Sequence, residues 1–278
     1  MTKRESKYVI VARIAYRLCE RVVGPYAHPK SPHRFTQPQL LACVLLMFYV
    51  RKSYRDMEEW LRASDSICRE LKLSEIPDHS TLNRTYKRVR LKLLEDLQHR
   101  LLAELKPHEM GIALDTTGYS PTQASMHYLA RCGRHYDSFY KGGYAVGIES
   151  QLILASVSGQ GPGADTVFLK PLRRKARRYG QRGKWILLAD RGFDAASVCP
   201  SDLIPPIRRG GVIKQLARIE REELVSAARL DGFFGQRWKV ETVNSVIKRK
   251  FGDDIRSHKP SRRYREPIVK GLIYNIHV

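Results

Sequence analysis

The pattern of hydrophobic positions divides the chain into a helical first part and a mixed second part. Between residue 7 and about residue 105, apolar residues recur at spacings of three and four, as in amphipathic helices. The most hydrophobic stretch, "LLACVLLMFYV" at residues 40–50, is too short for a membrane span, which needs about 20 apolar residues, so it predicts a buried helix. The first part therefore predicts an all-α region.

After "KPHEM" the pattern changes to short apolar runs, which are typical of strands. These runs are "GIALD", "GGYAVGIES", "QLILASVSG" and, after one helical segment, "KWILLAD". Helical periodicity then returns over residues 212–230, 235–252 and 264–278. Strands followed by a helix and a further strand favour a mixed sheet with helices packed on it, so the second part predicts an α/β fold.

The charge balance narrows the range of partners. Fifty Lys and Arg residues stand against 28 Asp and Glu residues, which gives a formal net charge of +22. Such a surface attracts polyanions, so nucleic acid is the first candidate partner and an acidic membrane surface the second.

Cysteine and histidine spacing argues against zinc and against disulfide bonds. The chain has no C-x-x-C pair and no H-x-x-x-H spacing, which fits a reducing cytoplasm; its cysteines are Cys19, Cys43, Cys68, Cys132 and Cys199. The start "MTKRESKYVI" lacks an apolar run with a cleavage site, so no signal peptide is expected.

Two acidic residues close apolar runs: Asp115 ends "IALD" and Asp190 ends "ILLAD". One Asp after a strand most often forms a turn or caps a helix. Two carboxylates at neighbouring strand ends would repel each other unless a divalent cation neutralised them. Because oxygen ligands select hard ions, the pattern predicts Mg²⁺ or Mn²⁺ at this place, with turn or cap roles as the alternative.

The helix "RWKVETVNSVIK" offers a third carboxylate. At 100° per residue, Arg237, Glu241 and Lys248 fall within about 40° of one another. An apolar stripe lies roughly 100° away and consists of Val240, Val243, Ile247 and Phe251. The helix can thus pack on the sheet while Glu241 faces the strand ends. The alternative is an ordinary i, i+4 pair between Arg237 and Glu241 on a solvated face.

Two other acids, Glu149 and Asp165, are weaker ligand candidates, and Asp194 has another expected role. Glu149 lies in a predicted strand turn, and Asp165 is placed to cap the helix that follows it. Asp194 is expected to cap a helix after Gly192.

Basic residues predict where DNA would bind. In "PDHSTLNRTYKRV", Asp78 or Ser80 would cap a helix whose exposed face carries Asn83, Arg84, Lys87 and Arg88. This helix is either an ordinary surface helix or one that lies on DNA. The runs "KPLRRKARRYGQRGK" and "KRKFGDDIRSHKPSRRYR", the second of which contains Lys250, flank the acids and would follow the DNA backbone.

Three segments together resemble the active-site blocks of the DDE transposases of bacterial insertion sequences, of the insertion sequence 4 and 5 kind. They are "LDTTGYS", "LLADRGFD" and "FGQRWKVETVNSVIKRKFG". The third block of that family reads Tyr-x2-Arg-x3-Glu-x6-Lys, and here Phe234, Arg237, Glu241 and Lys248 stand at those spacings. The segment "PDHSTLNRTYKRV" also resembles the stretch that precedes the catalytic domain in relatives of insertion sequence 5. The resemblance covers roughly residues 35–278.

The resemblance implies an RNase H-like fold in which Asp115, Asp190 and Glu241 hold two Mg²⁺ or Mn²⁺ ions. Such ions lie about 3.5–4 Å apart and support in-line phosphoryl transfer. Arg237 and Lys248 would bind phosphates near the cut. Two aromatic residues are candidates for base stacking. Phe234 lacks the hydroxyl of the family Tyr, and Trp238 is alternatively a core residue.

The resulting prediction is a transposase that binds double-stranded DNA, both the terminal inverted repeats of an element and the target. Residues 1–108 would form a helical DNA-binding or dimerisation region, and residues 109–278 an RNase H-like catalytic domain with a helical insertion at about 212–232. The family implies a homodimer on paired DNA ends, no membrane, and a bacterial cytoplasm with the nucleoid. The alternatives are a nuclease of the same fold without strand transfer and a transposase-derived DNA-binding protein without activity.

Overall fold

A computed structural model describes residues 5–30, 32–121, 131, 139–182, 184–208, 210–213 and 215–278. Cys132, Gly183 and Lys214, which belong to segments discussed above, lie outside the described residues. The chain divides into two compact units. The helical unit comprises Met1–Leu105, Lys250–Gly252 and Leu272–Val278, and the sheet unit comprises Lys106–Arg249 and Asp253–Gly271. The functions assigned above to two domains stay predictions.

The first part of the chain is all-helical, as its periodicity predicts. Its helices are α1 (Lys7–Val22), α2 (Gln37–Tyr49), α3 (Tyr54–Arg62), α4 (Asp65–Glu70), α5 (His79–Arg88) and α6 (Leu91–Leu105). The apolar run of α2 is buried from Leu41 to Met47, which confirms a buried helix. Helix α5 is capped by Asp78, whose carboxylate accepts the backbone N–H groups of Ser80 and Thr81. Among the helices of the described residues, none has both the length and the hydrophobicity of a membrane span.

The second part of the chain forms a mixed sheet, which within the described residues has five strands. They are β1 (Gly111–Pro121), β2 (Tyr140–Gly147), β3 (Ile153–Gln160), β4 (Ile186–Leu188) and β5 (Asp254–Ile255). Strands β1, β2 and β3 are antiparallel neighbours, whereas β4 and β5 each pair with β1 in parallel. Strand β4 is a short run of Ile and Leu, as expected for a strand of a parallel pair inside a domain.

Helices flank this sheet and follow it: α7 (Thr166–Ala176), α8 (Leu216–Leu230), α9 (Trp238–Phe251), α10 (Pro260–Arg263) and α11 (Glu266–His277). Neighbouring residues of a strand point to opposite faces of the sheet. Asp115 of β1 contacts Asn244 of α9, whereas Thr116 contacts Asp165, which directly precedes α7. Helix α9 and the start of α7 therefore lie on opposite faces of β1. A mixed sheet flanked by helices, after an all-helical region, confirms the predicted α/β fold class and is consistent with an RNase H-like fold.

The expectation that the first strand ends at Asp115 is wrong. Strand β1 continues to Pro121 because Thr116 to Tyr119 pair with residues 140–143 of β2. The polar run "TTG" has the composition of a turn, but it pairs with β2 and is followed by Tyr119, whose ring is buried. Asp115 therefore lies in the middle of β1.

The expected capping role of Asp194 is also wrong. Its side chain is fully buried and accepts the backbone N–H of Ile207 at 2.9 Å. It forms ion pairs with Arg218, at 3.1 Å, and with Arg221, both on α8. Helix α8 lies within the predicted insertion, and Asp194 attaches it to the loop that follows β4.

Candidate active site at β1, β4 and α9

Asp115 and Asp190 come close to each other at neighbouring elements of the sheet unit. Strands β1 and β4 pair in parallel register from Gly111 with Ile186 to Ala113 with Leu188. Asp190 follows the end of β4 by two residues, and its negative charge acts on Asp115. The structure thus brings two of the three predicted acids together.

The surroundings of Asp115 oppose its ionisation. Burial raises its pKa to about 6, and the negative charge of Asp190 adds to this effect. The backbone N–H of Thr116, the side-chain amide of Asn244 and the charge of Arg237 act in the other direction. Two acids that repel each other beside a sheet form an environment that a cation would stabilise.

Asp190 has a local structural role as well. It is the N-cap of a single 3₁₀ turn, Arg191–Phe193, and its Oδ1 accepts the backbone N–H of Gly192 at 2.9 Å. The cap interpretation of this Asp is therefore present in the structure. This hydrogen bond fixes one carboxylate oxygen of Asp190.

Helix α9 contacts the acids through Asn244. The Nδ2 atom of Asn244 donates a hydrogen bond to Oδ2 of Asp115 at 2.8 Å. Glu241 lies three residues earlier, on the same side of the helix. The predicted third carboxylate thus belongs to the helix that faces Asp115.

Glu241 itself is turned to another partner. Its Oε1 accepts a hydrogen bond from Nη2 of Arg237 at 2.5 Å, and its side chain is 52% exposed. This is the i, i+4 pair that was the alternative to a metal role. Within the described residues no three His, Cys, Asp or Glu side chains are placed to bind one metal ion. The acid triad is thus not gathered in this structure.

Asp165 stands at the N-terminal boundary of α7, but its side chain does not cap the helix. Instead, Oδ1 of Asp165 accepts hydrogen bonds from the hydroxyl of Thr116 at 2.7 Å and from Nζ of Lys141 at 2.8 Å. A Cβ built on Gly192 would lie 3.0 Å from Oδ1 of Asp190 and 3.2 Å from Oδ2 of Asp165. Asp165 therefore occupies the expected N-cap position, but its side chain bonds Thr116 and Lys141 instead of the helix, and it borders the same loop as Asp190.

Glu149 belongs to a different place in the sheet unit. It follows β2, and its carboxylate accepts the backbone N–H of Met110 at 3.3 Å. Burial and the neighbouring carboxyl of Glu109 raise the pKa of Glu149 to about 7. Its contacts are with the start of β1.

The remaining candidates on α9 and the turn before it differ in exposure. Trp238 is 53% exposed, so its core alternative is wrong, whereas Lys248 is half-buried. Phe234 is half-buried, with the guanidinium of Arg229 5.2 Å from its ring centroid. Together with Arg237, these residues place cationic and aromatic groups on α9 and on the turn before it.

The other DNA-binding candidates belong to the helical unit. Arg84, Lys87 and Arg88 are exposed on α5, and Arg84 donates hydrogen bonds to the hydroxyls of Ser80 and Thr81. Lys250 is exposed, and its Nζ lies 2.5 Å from Nε2 of His277. All four cations therefore remain accessible at the surface.

Two features of the site were missed in the sequence. Asn244 falls about 20° from Arg237 in helical projection, so the same spacing argument that selected Glu241 could have found it. The Thr116–Asp165–Lys141 cluster joins residues 49 and 24 positions apart. No spacing rule predicts such a tertiary contact.

Comparison with known proteins supplies a family. The model of the family described as transposase DDE domain matches residues 106–276, more than half of the chain. No curated protein and no solved structure matches the chain significantly.

Proposed function

The chain belongs to the transposase DDE domain family, and from that premise we propose that it cuts DNA at the ends of a mobile element and transfers the freed 3′-OH into target DNA, assisted by divalent ions. The observation that carries this proposal is the proximity of Asp115 of β1, which contacts α9, to Asp190, which follows the neighbouring strand β4. The relation to the insertion sequence 4 and 5 groups remains part of the proposal.

The donor atoms of this site fit a hard cation. Asp115 and Asp190 supply carboxylate oxygens, and the buried Oδ1 of Asn244 has no hydrogen-bond partner in the described residues. We propose that Asp115, Asp190 and Glu241 hold two Mg²⁺ or Mn²⁺ ions. When bound, such ions activate an attacking hydroxyl and stabilise the leaving oxygen of a phosphodiester.

Arg237 would regulate the availability of Glu241. In the structure the guanidinium of Arg237 holds the Glu241 carboxylate. A DNA phosphate binds a guanidinium through the same paired N–H groups, so bound DNA would compete for Arg237 and release Glu241 toward Asp115. Lys248, on the same helical row, would bind a second phosphate, and Trp238 and Phe234 would stack on unpaired bases.

The partner we propose is double-stranded DNA, as terminal inverted repeats and as target. The net charge of +22 supports a polyanionic partner. Arg84, Lys87, Arg88 and Lys250 would bind its backbone. Joining two element ends requires two active sites, so we propose a homodimer on DNA, in the bacterial cytoplasm where the nucleoid lies.

The decisive experiment is a Mg²⁺-dependent assay on duplexes that carry the candidate terminal repeats, with Asp190→Asn beside the wild type. We expect wild-type cleavage and joined product, and loss of cleavage with retained DNA binding in the variant, because a cation ligand is lost without a clash. Glu220→Gln, at an exposed position of α8, is the matched control. Cleavage without joining would favour a nuclease, and binding without cleavage an inactive DNA-binding protein. An unchanged rate in Asp190→Asn would refute the assignment.

The DNA-binding residues are tested by salt dependence. Affinity should fall steeply with salt, and each lost phosphate contact should reduce the slope of log affinity against log salt by about 0.9. We expect this reduction for Arg88→Ala and not for Arg21→Ala, because Arg21 is already paired with Glu104. Equal slopes in these two variants and the wild type would remove Arg88 from the interface.

A further inference from the structure

Asn244 is a polar residue at a buried position of α9. Val240, Val243 and Ile247, which form the buried stripe of the same helix, are fully buried and apolar. Asn244 is only 6% exposed. Burying an amide costs free energy unless its polar atoms find partners, so helix packing alone does not explain an Asn here.

The donor half of this amide has a partner. Its Nδ2 donates to Oδ2 of Asp115 at 2.8 Å. This contact also fixes how the amide is turned, because the opposite orientation would set the amide oxygen against a carboxylate oxygen, and neither atom can donate a hydrogen bond to the other. A structural link between α9 and β1 accounts for this half of the side chain.

The acceptor half of the amide has no hydrogen-bond partner among the described residues. Oδ1 of Asn244 is buried and makes no hydrogen bond to the described residues. Buried polar atoms without a partner are uncommon in folded proteins, and each one calls for an explanation such as an ion or a water molecule. The atom belongs to the amide that binds Asp115, so it lies beside the acids assigned above to a cation.

We propose that Asn244 is a positioning residue of the cation site. Its Nδ2 holds Asp115, and its Oδ1 accepts a hydrogen bond from a water molecule of a hydrated divalent cation. This inference rests on the proposed function, since it takes Asp115 as a cation ligand. Residues that orient metal ligands in this way typically contribute 10–100-fold to metal affinity.

The test measures Mn²⁺ binding to the full-length chain by isothermal titration calorimetry, without DNA. We expect Asn244→Ala to weaken Mn²⁺ binding about 10–100-fold. Asn244→Asp should bind Mn²⁺ more tightly than Asn244→Ala, because it loses the donor to Asp115 but keeps an oxygen that can accept a hydrogen bond from a metal-bound water, and it adds negative charge beside the cation. Ser245→Ala, exposed on the same helix, should bind as the wild type does. Circular dichroism checks that each variant is folded.

The two Asn244 variants separate a cation role from a purely structural one. If Asn244 only linked α9 to Asp115, the Asp variant would set two carboxylates against each other and bind Mn²⁺ no better than the Ala variant. That outcome, or wild-type affinity in Asn244→Ala, would overturn the inference. Asp115→Asn distinguishes a failure of this inference from a failure of the proposed function. If it leaves Mn²⁺ binding unchanged, the metal site of the proposed function fails as well. If only Asp115→Asn weakens binding, the metal site stands and the role of Asn244 falls.

Discussion

Two aspartates of the sheet unit, the buried Asp194 and the half-buried Asp115, have surroundings that differ sharply. Asp194 is enclosed by Arg218, Arg221 and the backbone N–H of Ile207, so each of its oxygens has a cationic or N–H partner. Asp115 faces a second acid, Asp190, and burial raises its pKa to about 6.

The difference separates a carboxylate that stabilises the fold from one whose ionised form the fold disfavours. Ion pairs and hydrogen bonds compensate the desolvation of Asp194, which attaches α8 to the loop after β4. The oxygens of Asp115 accept hydrogen bonds from the backbone N–H of Thr116 and from Asn244, but among the described residues no cation forms an ion pair with it, and Asp190 repels it. A pKa perturbed by burial and by a like charge is common at functional sites. The comparison therefore supports a catalytic site at Asp115 and a structural anchor at Asp194.

The largest expected effect comes from removing the anchor. Asp194→Ala would leave Arg218 and Arg221 without their buried partner and should lower the free energy of unfolding by about 3–5 kcal/mol. Urea denaturation measures this change, with Glu220→Gln on the exposed side of α8 as the control, for which about 0.5 kcal/mol or less is expected. If Asp194→Ala is as stable as the control, Asp194 is not an anchor.

Replacing Asp115 is expected to change the free energy of unfolding in the opposite direction. In the absence of metal at pH 7, Asp115→Asn should raise the free energy of unfolding by about 2 kcal/mol, because it removes a half-buried charge whose pKa is raised from 3.8 to about 6 and which solvent partly screens. The Asn side chain can still accept the hydrogen bond from Asn244. The same urea titration measures the change, and a clear loss of stability would show that Asp115 is a structural residue like Asp194.

The pH dependence of the free energy of unfolding tests the raised pKa of Asp115. Asp115 has a folded pKa of about 6 against 3.8 for the ordinary group, so between these values the folded state binds more protons than the unfolded state. The metal-free wild type should therefore lose up to about 1 kcal/mol per pH unit, relative to Asp115→Asn, as the pH rises from about 4 to 6. Above pH 7 the difference should stay constant. A difference that is flat from pH 4 to 7 would contradict the raised pKa.

The sequence predicts the elements better than their contacts. The period of α9 and the apolar runs before Asp115 and Asp190 are local patterns, and they locate the helix and the two strand segments of the site. Glu241 shows the limit: the spacing fits both a ligand facing the sheet and a pair with Arg237, and the structure has the pair. Asp165 shows a second limit, since a residue at a helix start has the local signature of a cap even when its partners lie on distant strands.

Asp165 provides the smallest and most discriminating test, because its environment is intermediate. Its carboxylate has a cationic partner, Lys141, and a hydroxyl partner, Thr116, yet it keeps partial access to solvent. Asp165→Asn preserves an acceptor for Thr116 and removes only the charge, so the expected loss in the free energy of unfolding is about 0.5–1 kcal/mol. Lys141→Met should cost somewhat more, because it also removes the hydrogen bond from Lys141 to the carbonyl of Gly163. The double variant should cost less than the sum of the two, because the ion pair is lost in both single variants. A gain in stability for Asp165→Asn would show that Asp165, like Asp115, is a carboxylate whose charge destabilises the fold. A loss as large as that of Asp194→Ala would show that Asp165 is a second structural anchor.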